Sequence, residues 1–556
     1  MWLLDEASGE LLAVFSVPLL IFLIIVSPSA DAASDFTVFR TQHYDLQGTA
    51  YGCHSGLVNV EARPIESNSY TRRCVIARLK DVTMVKYREM LIQNAAALLV
   101  ALPEDLQDLT DREREHLAEL ELEMLAEENQ LPVYFTTDSH QITHILNDVA
   151  SSINADSAAS AAEAMLSSAS ANGLQMLVTG AASKALNDFQ VVNIQGKLSG
   201  FGIEEQLPTI ALVAHYDAYS LVPSLSYGAD SDASGVVTLL ELSRLFSKLY
   251  TNSRTHAKFN LLFLLSGGGK FNYQGTRRWI EDQLESSEAS LLSDVHQVIC
   301  FDSIAKGDGL HLHVSKPPKE GSAGHSIANH LEQSVRSVRG SDAAFSVVHK
   351  KINLAEELLS WEHERFSLRR LPALSLSHFD SHKDQKRQTL LDTRETVSDE
   401  TLVQNIQVVA EALAKHIFNL TSEEGVELFS DGLRVEPSLV SAWLSHLTSV
   451  PRAQQLLPPS SPLLHSLEHA FSRHLKEVKR HMVVADKRDP EFLFYSGQEY
   501  TMSAYSVKPA IFDLFLAVGI AAYLAVLYVA VQNFHLVYAA LRMISGSNGN
   551  KAKKIY

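Results

Sequence analysis

The chain has 556 residues, room for about three to four domains of ordinary size. Hydrophobic residues make up 46% and charged residues 20%, which excludes wholesale disorder. Lys and Arg number 47 against 65 Asp and Glu, and the resulting net charge of −18 argues against direct nucleic-acid binding, since no basic face stands out. Three cysteines are too few for a disulfide-stapled scaffold or a cysteine-based zinc module.

Residues 11–26 form an almost unbroken apolar run followed by Ala30 and Ala32 at signal-peptidase spacing. Residues 1–32 therefore read as a signal peptide. Asp5, Glu6 and Glu10 depart from the usual basic start and leave an uncleaved signal anchor as the alternative. Residues 33–172 read as a smaller α/β lobe, with strand-like runs at 96–101 and 132–136 around a charged helix at 111–129. The Ala/Ser-rich stretch 155–171 is a linker or a loosely packed helix. Cys53 and Cys74 are close enough in sequence for a possible disulfide in an oxidising compartment, whereas Cys300 sits in an apolar strand as a small hydrophobe.

From 173 to 425 strands and helices alternate. Strands are expected at 191–198, 209–215, 259–265, 295–301 and 373–377, with an amphipathic helix at 235–250 and another through Trp279 and Ile280. The fold class is α/β: a mostly parallel sheet with helices on both faces, a smaller N-terminal α/β lobe and one C-terminal transmembrane helix. In such sheets chemistry sits at the carboxyl ends of the strands. Those ends carry His215-Tyr216-Asp217, then Ser266-Gly267-Gly268-Gly269-Lys270, then Asp302, with Gly228-Ala229-Asp230-Ser231-Asp232-Ala233-Ser234-Gly235 before the amphipathic helix. No phosphate-binding loop fits, because Phe271 stands where Ser or Thr is required, and no Gly-x-Ser-x-Gly elbow exists.

The order and spacing of these motifs, with Gly275 following, resemble the M28 family of zinc aminopeptidases over about residues 175–420. The resemblance implies two zinc ions, a bridging carboxylate and a Glu that deprotonates water. Carried over position by position, the first His ligand is His215 and its neighbour Asp217, and a later ligand is Asp302. The bridging carboxylate falls on Ser231, flanked by Asp230 and Asp232. The paired Glu base and ligand fall on Gly269 and Lys270. The last His falls on Gln388 in Gln388-Thr389-Leu390-Leu391-Asp392-Thr393, although His378 and His382 lie close by. A lysine ammonium about 5 Å from a divalent ion is repelled by roughly 7 kcal/mol at an effective dielectric near 20. The pattern therefore implies no catalytic residues, no metal and no cofactor. His215 and Asp302 remain as hydrogen-bonded remnants beside a cleft open to a peptide or a partner loop.

Residues 426–509, with Leu457-Pro458-Pro459 and a basic helix around 473–480, read as a membrane-proximal stalk. Residues 510–531 are apolar and long enough to span a bilayer, at about 1.5 Å per residue. Arg542, Lys551, Lys553 and Lys554 follow, placing the tail 532–556 in the cytosol by the positive-inside bias. Lys553 and Lys554 resemble a dilysine retrieval signal of the endoplasmic reticulum. Asn419-Leu420-Thr421 is a glycosylation acceptor suited to a lumenal body.

A degenerate M28 body with one C-terminal span and this tail resembles the nicastrin-like pseudoenzymes. That resemblance implies a non-enzymatic endoplasmic reticulum subunit that partners Nodal modulator and a small polytopic membrane subunit. It implies indirect contact with translocon and ribosome during multi-pass membrane protein insertion, and a link to Nodal signalling. The alternative within the same resemblance is a substrate-gating subunit of an intramembrane protease; an active zinc aminopeptidase is the third reading.

Overall fold

The computed structural model describes residues 34–539, apart from 55, 152–172, 181–182, 204–205, 286–291, 293, 357, 421–427, 489, 508–509 and 537. The expected signal peptide, the Ala/Ser-rich linker, and Lys553 and Lys554 lie outside the described residues.

The chain opens with β1 (Ser34–Arg40), β2 (His43–Leu46), β3 (Thr49–Cys53), β4 (Asn59–Pro64) and β5 (Cys74–Arg78). Then come α1 (Met84–Ile92), β6 (Ala97–Leu102), α2 (Asp111–Ala126), β7 (Glu128–Asn129), β8 (Val133–Thr137), α3 (His140–Ser151) and β9 (Gly173–Thr179). Helix α2 starts where it does because Thr110 and Glu113 cap each other: the Glu113 carboxylate accepts from the Thr110 N–H at 2.8 Å and the Thr110 hydroxyl accepts from the Glu113 N–H. Alternate residues of β5 point to opposite faces, so Val75 joins a core under α1 and α2 while Cys74 joins another beside α3. Cys53 belongs to the first of these cores. The two thiols are thus buried, free and separated by the strand layer, and the anticipated disulfide is not formed.

The larger lobe runs β10 (Gln190–Leu198), β11 (Thr209–His215), α4 (Ser234–Thr251), β12 (Asn260–Ser266), α5 (Gln274–Glu285), β13 (Val295–Phe301), β14 (Gly309–Val314) and α6 (Ala323–Arg339). It continues through β15 (Ala344–His349), α7 (His363–Leu368), β16 (Ala373–Ser377) and α8 (Asp399–Phe418). Eight strands, the last of them β17 (Lys476–Val484), pair in the order β15-β14-β16-β13-β11-β12-β10-β17. The sheet is mixed rather than mostly parallel. Its central strands β12, β11, β13 and β16 are parallel, but β10 pairs antiparallel with β12 and β17, and β14 antiparallel with β16. All seven residues of β11 and of β12 are buried because helices cover both faces. α4, α6 and α8 pack one face, while Trp279 and Ile280 of α5 and Phe366 of α7 pack the other.

The expected stalk is not one. Helices α9 (Pro437–Leu447) and α10 (Pro462–His474) bury Leu444, Leu464 and Phe471 in the main core. The region around 473–480 is not a basic helix: α10 ends at His474, and β17 (Lys476–Val484) is a strand that extends the large sheet beside β10. β18 (Phe492–Phe494) joins β2, β3 and β7 in a small sheet. β19 (Glu499–Val507) sits between β1 and β9, in the barrel order β1-β19-β9-β4-β5-β6-β8 closed by β8 on β1. The first lobe therefore cannot be completed by residues 33–172. An edge-free barrel needs strands from the far end of the chain.

Asn419 ends α8 in the left-handed conformation (φ 48°) that Asn tolerates, and lies exposed; Thr421 of its sequon is outside the described residues. Helix α11 (Ala510–Gln532) follows β19, and its stretch Leu514–Gln532 is buried against no other described part of the protein.

Candidate functional site

The parallel register of β12, β11, β13 and β16 carries His215, Ser266, Asp302 and Ser377 to one edge of the sheet. Residues 229–233 wind as a single π turn into α4, entered through Gly228 at φ 58°, a left-handed position where a side chain would also strike the Asp232 carboxylate. This turn brings its acidic residues over the strand ends.

His215 is completely enclosed. Its Nε2 lies 3.0 Å from Asp232 Oδ1 and its Nδ1 3.3 Å from Glu362 Oε2. Burial alone would drive His215 toward neutrality, but the Asp232 and Glu362 carboxylates outweigh it and raise the imidazole to about 10. Lys270 projects inward with only 4% of its side chain exposed, and its Nζ lies 3.2 Å from the same Asp232 oxygen. Burial opposes the Asp232 charge, yet Lys270 and His215 together hold its carboxyl below the ordinary range. The other Glu362 oxygen accepts from Ser266 Oγ at 2.7 Å and Thr276 Oγ1 at 2.6 Å.

Around this centre each carboxylate has its own partner. Asp217 accepts the backbone N–H groups of Gly269 and Lys270 at 2.7 and 3.1 Å, and burial still pushes it up to about 6. Asp302 receives Arg387 Nη2 at 2.6 Å; burial is overcome there by Arg387, Lys270 and His215, which keep the carboxyl well below its usual value. Arg387 also lies over the Trp361 ring, 4.1 Å from its centroid. Asp230 pairs with His378 Nε2 at 2.7 Å. Asp392 accepts the N–H groups of Asp230 and Ser231 and the Lys306 ammonium, all within 3.1 Å.

Six of the residues singled out from sequence thus converge: His215, Asp217, Ser231, Gly269, Lys270 and Asp302. Gln388 does not join them. Its side chain is exposed at a cavity of about 350 Å³ between the lobes, also lined by Tyr44, Tyr219, Lys270 and Arg387, and it is His378 that reaches the turn. The Ser231 hydroxyl donates to Asp232 at 2.8 Å, so the carboxylate facing His215 belongs to Asp232. Sequence reasoning missed Glu362, Arg387 and Asp392 as partners. Glu362 stands 147 positions from His215, in the loop entering α7, and no periodicity marks it.

The arrangement does not fit a dinuclear metal centre. Lys270 occupies the space beside the Asp232 carboxylate, its Nζ at 3.2 Å, and a buried ammonium there repels a divalent ion. A Cβ on Gly269 would overlap the His215 ring, so this backbone leaves no room there for a general base. Among the described residues no group of three or more His, Cys, Asp or Glu is disposed to hold a metal ion.

Residues 208–419 match the family described as nicastrin large lobe. The crystal structure of the γ-secretase component nicastrin superposes with a TM-score of 0.58 at 12% identity, covering 86% of this chain and 100% of that one. The fold is that of a nicastrin-like protein: an α/β large lobe beside a barrel completed by β19 from the far end of the chain. "BOS complex subunit ncln" of Danio rerio is 48% identical over 97% of this chain and 98% of its own length. "BOS complex subunit NCLN" of Homo sapiens is 48% identical over 93% of this chain and 92% of its own length, and "Nicalin" of Caenorhabditis elegans 29% over 89% of each. The chain belongs to the nicalin family.

Proposed function

We propose that this chain is a non-catalytic, single-span scaffold subunit of an endoplasmic reticulum membrane complex, with its body in the lumen and its C-terminus in the cytosol. In this reading it serves a BOS complex, as the names of its vertebrate relatives suggest. Nodal modulator and a small polytopic protein are its membrane partners. The assembly works with the translocon and ribosome in inserting multi-pass proteins, and connects to Nodal signalling. Lys553 and Lys554 serve as its retrieval signal and Asn419 as its glycosylation site.

The observation that carries the non-catalytic part is Lys270. Its ammonium sits 3.2 Å from the buried Asp232 carboxylate, at the position the M28 pattern assigns to a metal ligand. Loss of the peptidase ligands at Ser231, Lys270 and Gln388 and of the general base at Gly269 leaves a folded body free to act as an interaction surface. Helix α11 supports the membrane part, because a helix this apolar with no protein cover needs lipid or another helix around it.

The test is mild-detergent purification of the full chain from microsomes with its tail free, read by mass spectrometry. Co-purification of translocon, ribosome and multi-spanning subunits is expected; recovery of the chain alone overturns the reading. The fold shared with nicastrin favours one competitor, a gating subunit of an intramembrane protease, and co-purifying aspartyl-protease subunits would establish it instead. Stoichiometric zinc and peptide turnover by the purified protein would return it to the enzymes.

A further inference from the structure

At the end of the large sheet opposite His215, a groove of about 1110 Å³ runs between the start of β13 and β16 and the ends of β14 and β15. Its floor is apolar, formed by Val314, Ile352, Leu368, Leu371 and Leu374, and Leu354 stands over it with 78% of its surface exposed. Its rim is cationic: Lys316, Lys351 and Arg370 line it, and none of the three has an ion-pair partner among the described residues. No Asp or Glu lines it among the described residues, although acidic residues outnumber basic ones by 18 over the chain. Neighbouring Lys350, by contrast, is within ion-pair distance of Glu356 and Glu364.

The groove continues into an open strand edge. β15 is the outermost strand, pairs only with β14 among the described residues, and leaves Val347 45% exposed. His349, the last residue of β15, lines the groove and meets the Ser315 carbonyl at 3.2 Å, which joins edge and groove into one surface. An unpaired edge offers main-chain hydrogen bonds to an added strand, and an apolar floor with unopposed cations selects what that strand carries.

We propose that this surface docks an extended, acidic and apolar segment of a partner subunit, which adds a strand to β15 and sets its carboxylates against Lys316, Lys351 and Arg370. Charge complementarity decides the occupant: a second copy of this acidic chain or an anionic partner face without apolar residues would satisfy only half of the surface. The proposal rests on the scaffold reading and specifies where on the body a partner binds.

The test is zero-length carbodiimide coupling in intact microsomes carrying the full chain, which condenses a carboxylate with a lysine amine only where the two are in contact. Amide links from Lys316 or Lys351 to Asp or Glu within an apolar stretch of another subunit are expected. Lys316→Glu with Lys351→Glu should lower recovery of that subunit about tenfold, as a loss of close charge pairing does. Leu354→Ser, at an exposed position that folding does not require, should weaken recovery in the same direction. Links to this chain's own peptides, or no links from these lysines while lysines elsewhere couple to partners, would overturn the proposal. If no partner accompanies even the wild-type chain, the scaffold reading itself falls. If partners stay bound to both variants, the groove is wrong and the scaffold reading stands.

Discussion

The two ends of the large sheet treat charge in opposite ways. At the carboxyl ends of the parallel strands, Asp232, Asp302, Glu362, Lys270, Arg387 and His215 are buried and matched to one another at 2.6–3.3 Å. At the other end, Lys316, Lys351 and Arg370 stand exposed around an apolar floor with no partner of their own among the described residues. Buried charge survives only when paired, since removing one member strands the other in a low dielectric. Exposed charge costs little to keep and remains available to a second molecule. The strand ends to which the M28 pattern assigns zinc ligands are buried in this protein. The surface with unmatched chemistry lies away from them.

The harshest way to break this contrast is to rebuild the enzyme. Gly269→Glu with Lys270→Glu should destabilise the protein by more than about 4 kcal/mol, because the new Cβ overlaps His215 and the new carboxylates are buried beside Asp232 with the Lys270 cation removed. Denaturant unfolding measures this; a stable double variant that took up stoichiometric zinc would mean the cluster is still a metal site.

Next in size is Arg387→Met, which leaves Asp302 buried and unpaired and removes the cation over Trp361. A loss of about 3–5 kcal/mol is expected, with most of it recovered when Asp302→Leu is added. Strict additivity of the two substitutions would show that the pair is not coupled.

A smaller effect tests the lobe boundary beside the same cluster. Glu121 of α2 is fully buried and accepts the Leu390 N–H at 2.7 Å from across the boundary; burial raises its carboxyl from 4.5 to about 7. A raised folded value means the folded state binds the proton more tightly. The associated stability is complete below pH 4.5 and is lost as pH rises through about 7. The difference in pH dependence between wild type and Glu121→Gln should amount to up to about 3 kcal/mol across that window. Parallel stability curves would show that Glu121 does not titrate there.

The least effect on folding belongs to the groove. Lys316→Glu with Lys351→Glu should leave the thermal midpoint unchanged while partner recovery falls, since surface substitutions away from packed features change stability little. A large loss of stability would mean these lysines serve the fold after all.

Several of these features were legible before any coordinates. The strands at 209–215, 295–301 and 373–377 have the bounds expected, because largely buried strands advertise themselves as short apolar runs. The helix expected at 111–129 ends at Ala126, and a short strand takes Glu128 and Asn129. Helix α11 was marked by its own apolarity, which needs no partner to be read. The M28-like spacing pointed to six residues that lie at one edge of the sheet: five at or just past the ends of adjacent parallel strands, which must deliver their carboxyl ends to one edge, and Ser231 on the turn before α4.

The sequence by itself determined whatever depends on local pattern: the buried strands, the membrane-length helix, and the presence of Lys270 where a metal ligand was expected. Tertiary structure alone decided which residues answer one another over long separations. It seated Glu362 against His215 and Arg387 against Asp302, kept Cys53 and Cys74 in separate cores, and turned an apparent stalk into helices and strands of both lobes. The reason is physical. A strand or span is specified by neighbours a few residues away, whereas a buried ion pair or the strand that closes a barrel is chosen by whichever distant segment satisfies an otherwise costly buried group or open edge.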